Sequence, residues 1–232
     1  FEDVRLHVLG EHYDRIHLGE EQGDRPRTQV FRDRTRSILN QVTSPDLPFS
    51  WTMNPYRGCE HGCVYCYARQ DHEYLGLSSG IDFETKIFAK TEAAALLRRE
   101  LSRPRWAGEP IVLAGDTDVY QPIERRFRLT RAVLEVMAEC RQPVSIVTKN
   151  RLVTRDVDLL SELARHGAAR VAISITTLDR ALASSMEPRA ASPTHRLAAV
   201  RELTQAGVPV VVMVAPIIPG LTDREVPSIL KA

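Results

Sequence analysis

The run Gly58-Cys-Glu-His-Gly-Cys-Val-Tyr-Cys-Tyr67 places three cysteines in the spacing C-x3-C-x2-C. It follows a short apolar stretch at residues 50–53 that predicts a strand. Three thiolates from one loop bind a single metal centre and leave one position without a thiolate from that loop. A closed structural site takes four protein ligands, whereas a catalytic site keeps a position open. The run therefore indicates a metal centre that does chemistry.

Three occupants of this loop are possible, and they fit its thiols to different degrees. A structural zinc ion needs a fourth ligand, for which His61, His72 and Cys140 are the candidates. A redox disulfide uses two cysteines and leaves the third without a role. An iron–sulfur cluster with one iron open to a small molecule fits best. Gly58 and Gly62 support it, because a tight loop around a cluster needs close backbone approach and positive φ.

Outside this loop, short β-branched runs alternate with segments of helical spacing, which predicts an α/β fold with a parallel sheet. The runs lie at residues 50–53, 111–114, 144–148, 171–175 and 210–215. Five strands are too few for a closed barrel, so we expect an incomplete barrel whose last strand is absent from the sequence.

Two further expectations concern domain organisation and the fourth cysteine. Residues 1–48 are polar and lack a sustained period, so we expect an irregular extension that wraps a core domain at residues 49–232. Val133, Val136, Met137 and Cys140 share one face of a predicted helix. We therefore expect Cys140 to be buried in helix packing rather than to bind metal.

The composition of the 232 residues, 43% hydrophobic and 26% charged, is that of an ordinary globular chain. A net charge of +1 argues against binding nucleic acid by charge alone. No apolar run is long enough to cross a membrane, so no membrane partner is expected. Four cysteines without a secretion signal indicate a reducing, cytoplasmic compartment, in which clustered thiols more often bind metal than form disulfides.

Polar side chains follow every predicted strand after the first, which leads into the cysteine loop. They occur at residues 115–122, 148–150, 174–177 and 216–220. Because the carboxyl ends of parallel strands meet at one edge of the sheet, these segments are expected to converge on the cysteines and form a site.

The motifs together resemble those of the radical S-adenosylmethionine (radical SAM) superfamily, and within it the group related to spore photoproduct lyase, also labelled DNA repair photolyase-like. The resemblance covers roughly residues 37–232 and is carried by Asn54-Pro-Tyr-Arg-Gly-Cys-Glu-His-Gly-Cys-Val-Tyr-Cys-Tyr67, Thr117-Asp-Val-Tyr-Gln-Pro122, Val147-Thr-Lys-Asn150 and Ser174-Ile-Thr-Thr177. It implies a partial (β/α)6 barrel of the TIM type, a [4Fe–4S] cluster, and S-adenosylmethionine bound to the open iron. It also implies an external one-electron reductant, flavodoxin- or ferredoxin-like, and a 5′-deoxyadenosyl radical that abstracts a substrate hydrogen.

The resemblance also implies roles for individual residues. Cys59, Cys63 and Cys66 match the cluster ligands. Tyr65 matches the aromatic residue beside the cofactor adenine. Thr117 and Asp118 match the residues that contact the methionyl amino group. Lys149 matches the residue that faces the methionyl carboxylate, and Ser174 matches the residue that binds the ribose.

One position departs from the group. Spore photoproduct lyase has a cysteine just before the polar pair of the second strand, and that thiol returns a hydrogen atom to the product radical. Here the position is Asp116, and a carboxyl group does not donate a hydrogen atom as a thiol does. The resemblance therefore implies a radical enzyme whose substrate stays open, a nucleic-acid lesion or base being one candidate. A non-catalytic iron–sulfur electron carrier and a zinc-binding structural module are the alternatives.

Overall fold

The computed structural model describes residues 5–8, 11–16 and 27–232. Its strands are β1 Arg5–Val8, β2 Glu11–Ile16, β3 Gln29–Arg32, β4 Leu39–Gln41, β5 Trp51–Met53, β6 Tyr56–Arg57, β7 Lys86–Ala89, β8 Ile111–Leu113, β9 Val144–Thr148, β10 Ala169–Ser174 and β11 Val210–Met213. Its α-helices are α1 Ile81–Thr85, α2 Ala93–Leu101, α3 Glu124–Phe127, α4 Leu129–Cys140, α5 Val157–Arg165, α6 Arg180–Met186, α7 Pro193–Gln205 and α8 Val226–Lys231. Short 3-10 helices occupy Tyr67–Leu75, Arg151–Asp156 and Asp223–Glu225.

The central sheet has the strand order β11-β10-β9-β8-β5-β4. Strands β5, β8, β9, β10 and β11 are parallel, and β4 pairs antiparallel with β5 at one edge. Each connection between successive parallel strands contains at least one helix. The five predicted strands and the α/β class are thus confirmed. In the described part of the chain the sheet is open, with β4 and β11 at its edges, as expected of a partial barrel.

The core lies between the parallel strands and the helices α2, α4, α5 and α7. Buried residues from these helices join those of the strands in one apolar cluster, among them Leu97, Met137, Leu160, Ala199 and Ile146. Strand β10 buries five of its six residues, because a parallel strand in the middle of such a sheet is covered on both faces. The helix α7 begins at Pro193, with Ser192 as its cap.

A second, smaller sheet has the order β1-β2-β3-β7-β6 and was missed by the sequence analysis. Strands β1 to β4 lie within residues 1–48, which we expected to be irregular. Strands β3 and β7 are parallel, so the residues that follow them, Asp33 and Lys90, lie at the same edge of this sheet. These strands have at most six residues, too few to show a clear period.

Cys140 does not have the environment that the helical spacing predicted. It is the last residue of α4 and is exposed, whereas Val133, Val136 and Met137 on the same face are buried. The prediction was wrong because the face turns outward at the helix end, where the chain enters a left-handed turn at Arg141 with φ of 51°.

None of the described helices is both long enough and apolar enough to cross a bilayer.

A buried ionic network links the loops on either side of α4. The carboxylate of Asp156 is fully buried and binds Arg155 at 2.7 Å, Arg131 at 3.0 Å and the hydroxyl of Tyr120 at 3.1 Å. Arg155 also binds the fully buried carboxylate of Glu124 at 2.7 Å. Each buried charge has an opposite charge and hydrogen-bond donors, which offsets the cost of removing it from water.

We expect Asp156→Ala to lower the free energy of unfolding by about 3 kcal/mol, because it leaves two arginines and a buried hydroxyl without their common partner. Asp158→Ala is the matched control. Its carboxylate binds Arg131 at 2.8 Å, but its side chain is 57% exposed, so the loss should stay below about 1 kcal/mol. Urea unfolding of the two variants measures both values, and equal losses would contradict a stabilising role for the buried network.

Candidate cofactor site at the cysteine loop

The cysteine loop, residues 58–66, follows the first parallel strand and ends where the 3-10 helix Tyr67–Leu75 begins. Gly58 and Gly62 both have positive φ, +77° and +67°. A Cβ atom on Gly58 would lie 2.9 Å from the carbonyl oxygen of Phe83, and one on Gly62 would lie 2.6 Å from Oε2 of Glu84. Both glycines are therefore required by conformation and by space, as the sequence predicted.

The three thiols of the loop are free, and none forms a disulfide. Cys59 and Cys63 are buried and Cys66 is partly exposed. Burial raises the pKa of all three thiols, to about 12 for Cys63. A buried thiol keeps its proton until a cation takes its place, so metal binding here would release protons.

As a set of donors, three free thiols on one tightly folded loop fit an iron–sulfur cluster, since such clusters are held by cysteine thiolates. Within the described residues, no group of three or more His, Cys, Asp or Glu side chains is arranged around a position for a single metal ion. The assignment of the three cysteines as cluster ligands stays a prediction.

Side chains from the loop after β8 hold the backbone around Cys59. The hydroxyl of Thr117 donates to the carbonyl oxygen of Gly58 at 2.6 Å. The buried amide of Gln121 donates to the same oxygen at 3.1 Å and accepts from the backbone N–H of Glu60 at 2.9 Å. One side chain therefore contacts the residues on both sides of Cys59.

Two arginines hold the middle of the loop. Arg69 donates to the carbonyl oxygen of Cys63 from two nitrogens, at 3.0 and 3.1 Å, and Arg189 donates to the carbonyl oxygen of Glu60. The carboxylate of Glu84 binds Arg69 at 2.5 Å and Arg189 at 2.6 Å. These residues were missed because charged residues far apart in sequence carry no local signal.

His61, a zinc-ligand candidate in the sequence, lies against Asp118 instead. Its ring is buried, with Nδ1 3.3 Å from Oδ2 of Asp118 and Nε2 3.3 Å from the amide nitrogen of Asn150. Asp118 also accepts from the hydroxyl of Thr148 at 2.8 Å and from the backbone N–H of Lys149 at 2.7 Å. Burial opposes ionisation of Asp118, yet His61 and these hydrogen bonds lower its pKa to about 2. The carboxylate is therefore ionised and ties the cysteine loop to β9.

Tyr65 and Lys149, which the resemblance assigns to the cofactor, lie together. The Lys149 ammonium is 5.8 Å from the centroid of the Tyr65 ring. The Tyr65 hydroxyl donates to Glu187 and lies 3.2 Å from the hydroxyl of Thr176. Glu187 in turn pairs with Arg196, and both side chains are buried. The buried pair was missed, because a glutamate after a helix looks like a surface residue in sequence.

Ser174 adjoins this group, because its carbonyl oxygen accepts from Arg196 at 3.0 Å, whereas Asp116 has other partners. The Ser174 hydroxyl is buried at the end of β10 and donates to the carbonyl oxygen of Ala215 at 3.4 Å. Asp116 accepts a hydrogen bond from the amide of Asn54 at 3.1 Å, on the β5 side of the sheet. The structure thus brings together Tyr65 and Lys149 with the cysteine loop, and it places Asp116 on another side.

Comparison with known proteins gives a family match over most of the chain. The family model described as the Radical SAM superfamily matches residues 53–232. An uncharacterized protein of Mycobacterium tuberculosis is 42% identical over 81% of this chain and 56% of its own length. An uncharacterized protein of Methanocaldococcus jannaschii is 27% identical over 86% of this chain and 71% of its own length. The chain thus spans little more than half of the mycobacterial relative.

Solved structures show the same fold at low sequence identity. Spore photoproduct lyase complexed with dinucleoside spore photoproduct is 21% identical, with a TM-score of 0.62 over 88% of this chain and 57% of that one. A mutant of the same enzyme with bound AdoMet and dinucleoside spore photoproduct is 21% identical, with a TM-score of 0.56 over 81% of this chain and 51% of that one.

We expect Gln121→Leu to loosen the cysteine loop, because the Gly58 carbonyl and the Glu60 N–H lose a shared partner. Hydrogen exchange at residues 58–60 should rise at least about tenfold. Gln142→Leu is the matched control, since Gln142 is also a buried amide but binds Trp106 and Glu109. It should cost a similar 1–3 kcal/mol or so of stability without changing exchange in the loop. Unchanged exchange at residues 58–60 in Gln121→Leu would show that the amide does not hold the loop.

Proposed function

Since the chain belongs to the Radical SAM superfamily, we propose that it is a radical enzyme that holds a [4Fe–4S] cluster on Cys59, Cys63 and Cys66 and binds S-adenosylmethionine beside it. When bound, the cluster and S-adenosylmethionine supply a 5′-deoxyadenosyl radical for hydrogen abstraction from a substrate. The observation that carries this proposal is the set of three free thiols on one tight loop after the first parallel strand. An external one-electron reductant, flavodoxin- or ferredoxin-like, and a cytoplasmic, reducing environment belong to the same proposal.

The chain's own residues bind and orient the cofactor in this proposal. Lys149 places a positive charge for the methionyl carboxylate, and the nearby Tyr65 ring offers a flat surface for the adenine. Glu187, fixed by Arg196, holds the Tyr65 hydroxyl and so the plane of that ring. Thr117 and Asp118 are assigned to the methionyl amino group and Ser174 to the ribose.

Asp118 has a further role in the proposal. The carboxylate makes several contacts within the protein and its side chain is only 10% exposed, so it acts on a bound amino group from a fixed position. A preorganised charge of this kind needs no rearrangement when the cofactor binds.

The proposed reaction differs from that of spore photoproduct lyase in how a hydrogen atom would return to the product radical. The carboxyl of Asp116 transfers protons and does not return a hydrogen atom to a product radical. A nucleic-acid lesion or base stays one candidate substrate. Returning a hydrogen atom to its product radical would need a donor other than Asp116.

Removal of any loop thiol tests the cluster assignment. In Cys59→Ala, Cys63→Ala or Cys66→Ala, iron content and formation of 5′-deoxyadenosine should fall to near background after anaerobic reconstitution, because a thiolate ligand is lost. Cys140→Ala is the control, since its exposed thiol lies at the end of α4, and it should keep both. Chemical iron and sulfide assays, with chromatography of 5′-deoxyadenosine, measure the outcome. A colourless protein holding one zinc ion would overturn the proposal.

Removal of the Lys149 charge tests the cofactor site. We expect Lys149→Met to weaken S-adenosylmethionine binding by roughly 2–5 kcal/mol, which is more than about thirtyfold in Kd. Lys231→Met, at the end of α8, should leave the Kd unchanged. Equilibrium dialysis with cluster-loaded protein gives both values. If the two variants bind equally well, Lys149 does not face the carboxylate.

A further inference from the structure

A second polar group lies beside the cysteine loop, on the side away from Tyr65 and Lys149. We call it the Lys90 cluster, and it consists of Asn54, Lys90 and Asp116. These residues follow β5, β7 and β8, so both sheets contribute to it. The amide of Asn54 donates to Asp116 at 3.1 Å, and the backbone N–H of Lys90 donates to the carbonyl oxygen of Pro55 at 3.0 Å.

The Lys90 cluster adjoins the cysteine loop through its neighbours. Thr117, next to Asp116, donates to the carbonyl oxygen of Gly58 at 2.6 Å. Tyr67, next to Cys66, donates to the carbonyl oxygen of Gly115 at 2.6 Å. The cluster is thus held at the start and at the end of the cysteine loop, and the residues assigned to S-adenosylmethionine leave it unused.

Two side chains of the cluster are buried, and each has a polar group without a partner among the described residues. Lys90 is 7% exposed, and its ammonium makes no hydrogen bond or ion pair with any residue that the structure describes. The side-chain oxygen of Asn54 is buried and also lacks a hydrogen-bond partner in the described residues. Burying an amide oxygen without a partner is unfavourable unless something else satisfies it, and the mostly buried lysine beside it has no ion pair among the described residues. Together they indicate a ligand site.

Acidic groups offset the cations around Lys90, because Asp71 also interacts with Asp116 and Arg57, and this disfavours a phosphate-like ligand. Arg57 binds Asp33 at 2.8 Å, and Asp116 faces Lys90 from the loop after β8. Burial lowers the pKa of Lys90 to about 8 and Arg57 adds to this effect, while Asp33 and Asp116 oppose it. At pH 7 about a tenth of such an amine is unprotonated, against about 0.04% for a lysine with pKa near 10.4. A desolvated lysine beside another cation is the usual form of an amine nucleophile.

We propose that Lys90 is a nucleophilic amine that holds an aldehyde or ketone substrate as an iminium ion, with Asp116 as its proton carrier. That this adduct would lie next to a radical site rests on the proposed function. The chemistry at Lys90 itself needs neither the cluster nor S-adenosylmethionine.

The step balances without an oxidant or a reductant. Asp116 takes a proton from the ammonium, and the amine nitrogen attacks the carbonyl carbon. A C–N bond forms, and Asp116 returns the proton to the oxygen. Asp116 then carries a second proton from the nitrogen to the hydroxyl, which leaves as water and gives the iminium ion. One ammonium and one carbonyl compound thus yield one iminium ion and one water molecule. The buried oxygen of Asn54 accepts a hydrogen bond from the hydroxyl of the addition intermediate.

The test is reductive trapping on cluster-loaded protein under anaerobic conditions. The protein is incubated at pH 7 with acetone and sodium cyanoborohydride, which reduces the iminium ion to a stable secondary amine, and labelling is followed by peptide mass spectrometry. Lys90 should be labelled at least about tenfold faster than Lys86, Lys149 and Lys231, the other lysines of the chain. Lys86 is the closest internal control, because it lies at the start of the same strand and pairs with Asp82 at 3.0 Å. Labelling of Lys90 should reach half its maximum near pH 8, while labelling of Lys231 should still rise above pH 10.

Two results would overturn the inference. One is labelling of Lys90 no faster than that of Lys86 or Lys231. The other is a labelling rate at Lys90 that rises in parallel with that of Lys231 up to pH 10. Formation of 5′-deoxyadenosine in the same preparation reports the proposed function separately. A preparation that cleaves S-adenosylmethionine but leaves Lys90 unlabelled refutes the role of Lys90 alone, and a labelled preparation that retains no iron refutes the radical function alone.

Discussion

The buried carboxylate of Asp118 fixes the relative positions of the strand ends on which the site depends. It faces His61 of the cysteine loop at 3.3 Å and accepts from Thr148 and Lys149 at the end of β9. A buried charge without donors would be very unfavourable, so this carboxylate exists only where all these groups converge. Conversely, the ionised carboxylate binds groups of the cysteine loop and of β9, so it holds the loop, β8 and β9 in one arrangement.

The site is therefore shaped by the protein before any metal arrives. Thr117, Gln121 and Arg189 hold the loop around Cys59 and Glu60, and Arg69 holds it at Cys63. The thiols themselves make little contribution to this shape, because they are protonated and free. A loop preorganised by its backbone lets the thiols exchange protons for metal without refolding the strands around them.

The sequence predicted the parts of the fold that repeat. The five parallel strands and the helices between them were visible because apolar residues recur with a fixed period over each element. The polar strand ends were predicted to converge, and Tyr65 with Lys149 does so near the cysteines. The second sheet, the pair of Glu187 with Arg196 and the exposure of Cys140 were not predicted. Each of these depends on contacts between residues distant in sequence or on where a helix ends, and a local pattern contains neither.

The resemblance to spore photoproduct lyase implies a carboxyl at position 116 in place of a thiol, and this difference would change more than one functional group. A thiol at position 116 would carry no charge. Of the two carboxylates that favour the charged form of Lys90, only Asp33 would then remain, against the unfavourable effect of Arg57. With a carboxylate, the amine and the acid stabilise each other across the edges of two sheets, and the region becomes polar and nearly neutral. Such a region suits an uncharged polar substrate and proton transfer. Return of a hydrogen atom instead needs a donor group, such as a thiol, with a weak bond to hydrogen. In the proposals made above, the two sides of the cysteine loop therefore do different work: one orients a charged cofactor, and the other receives a substrate by acid–base chemistry.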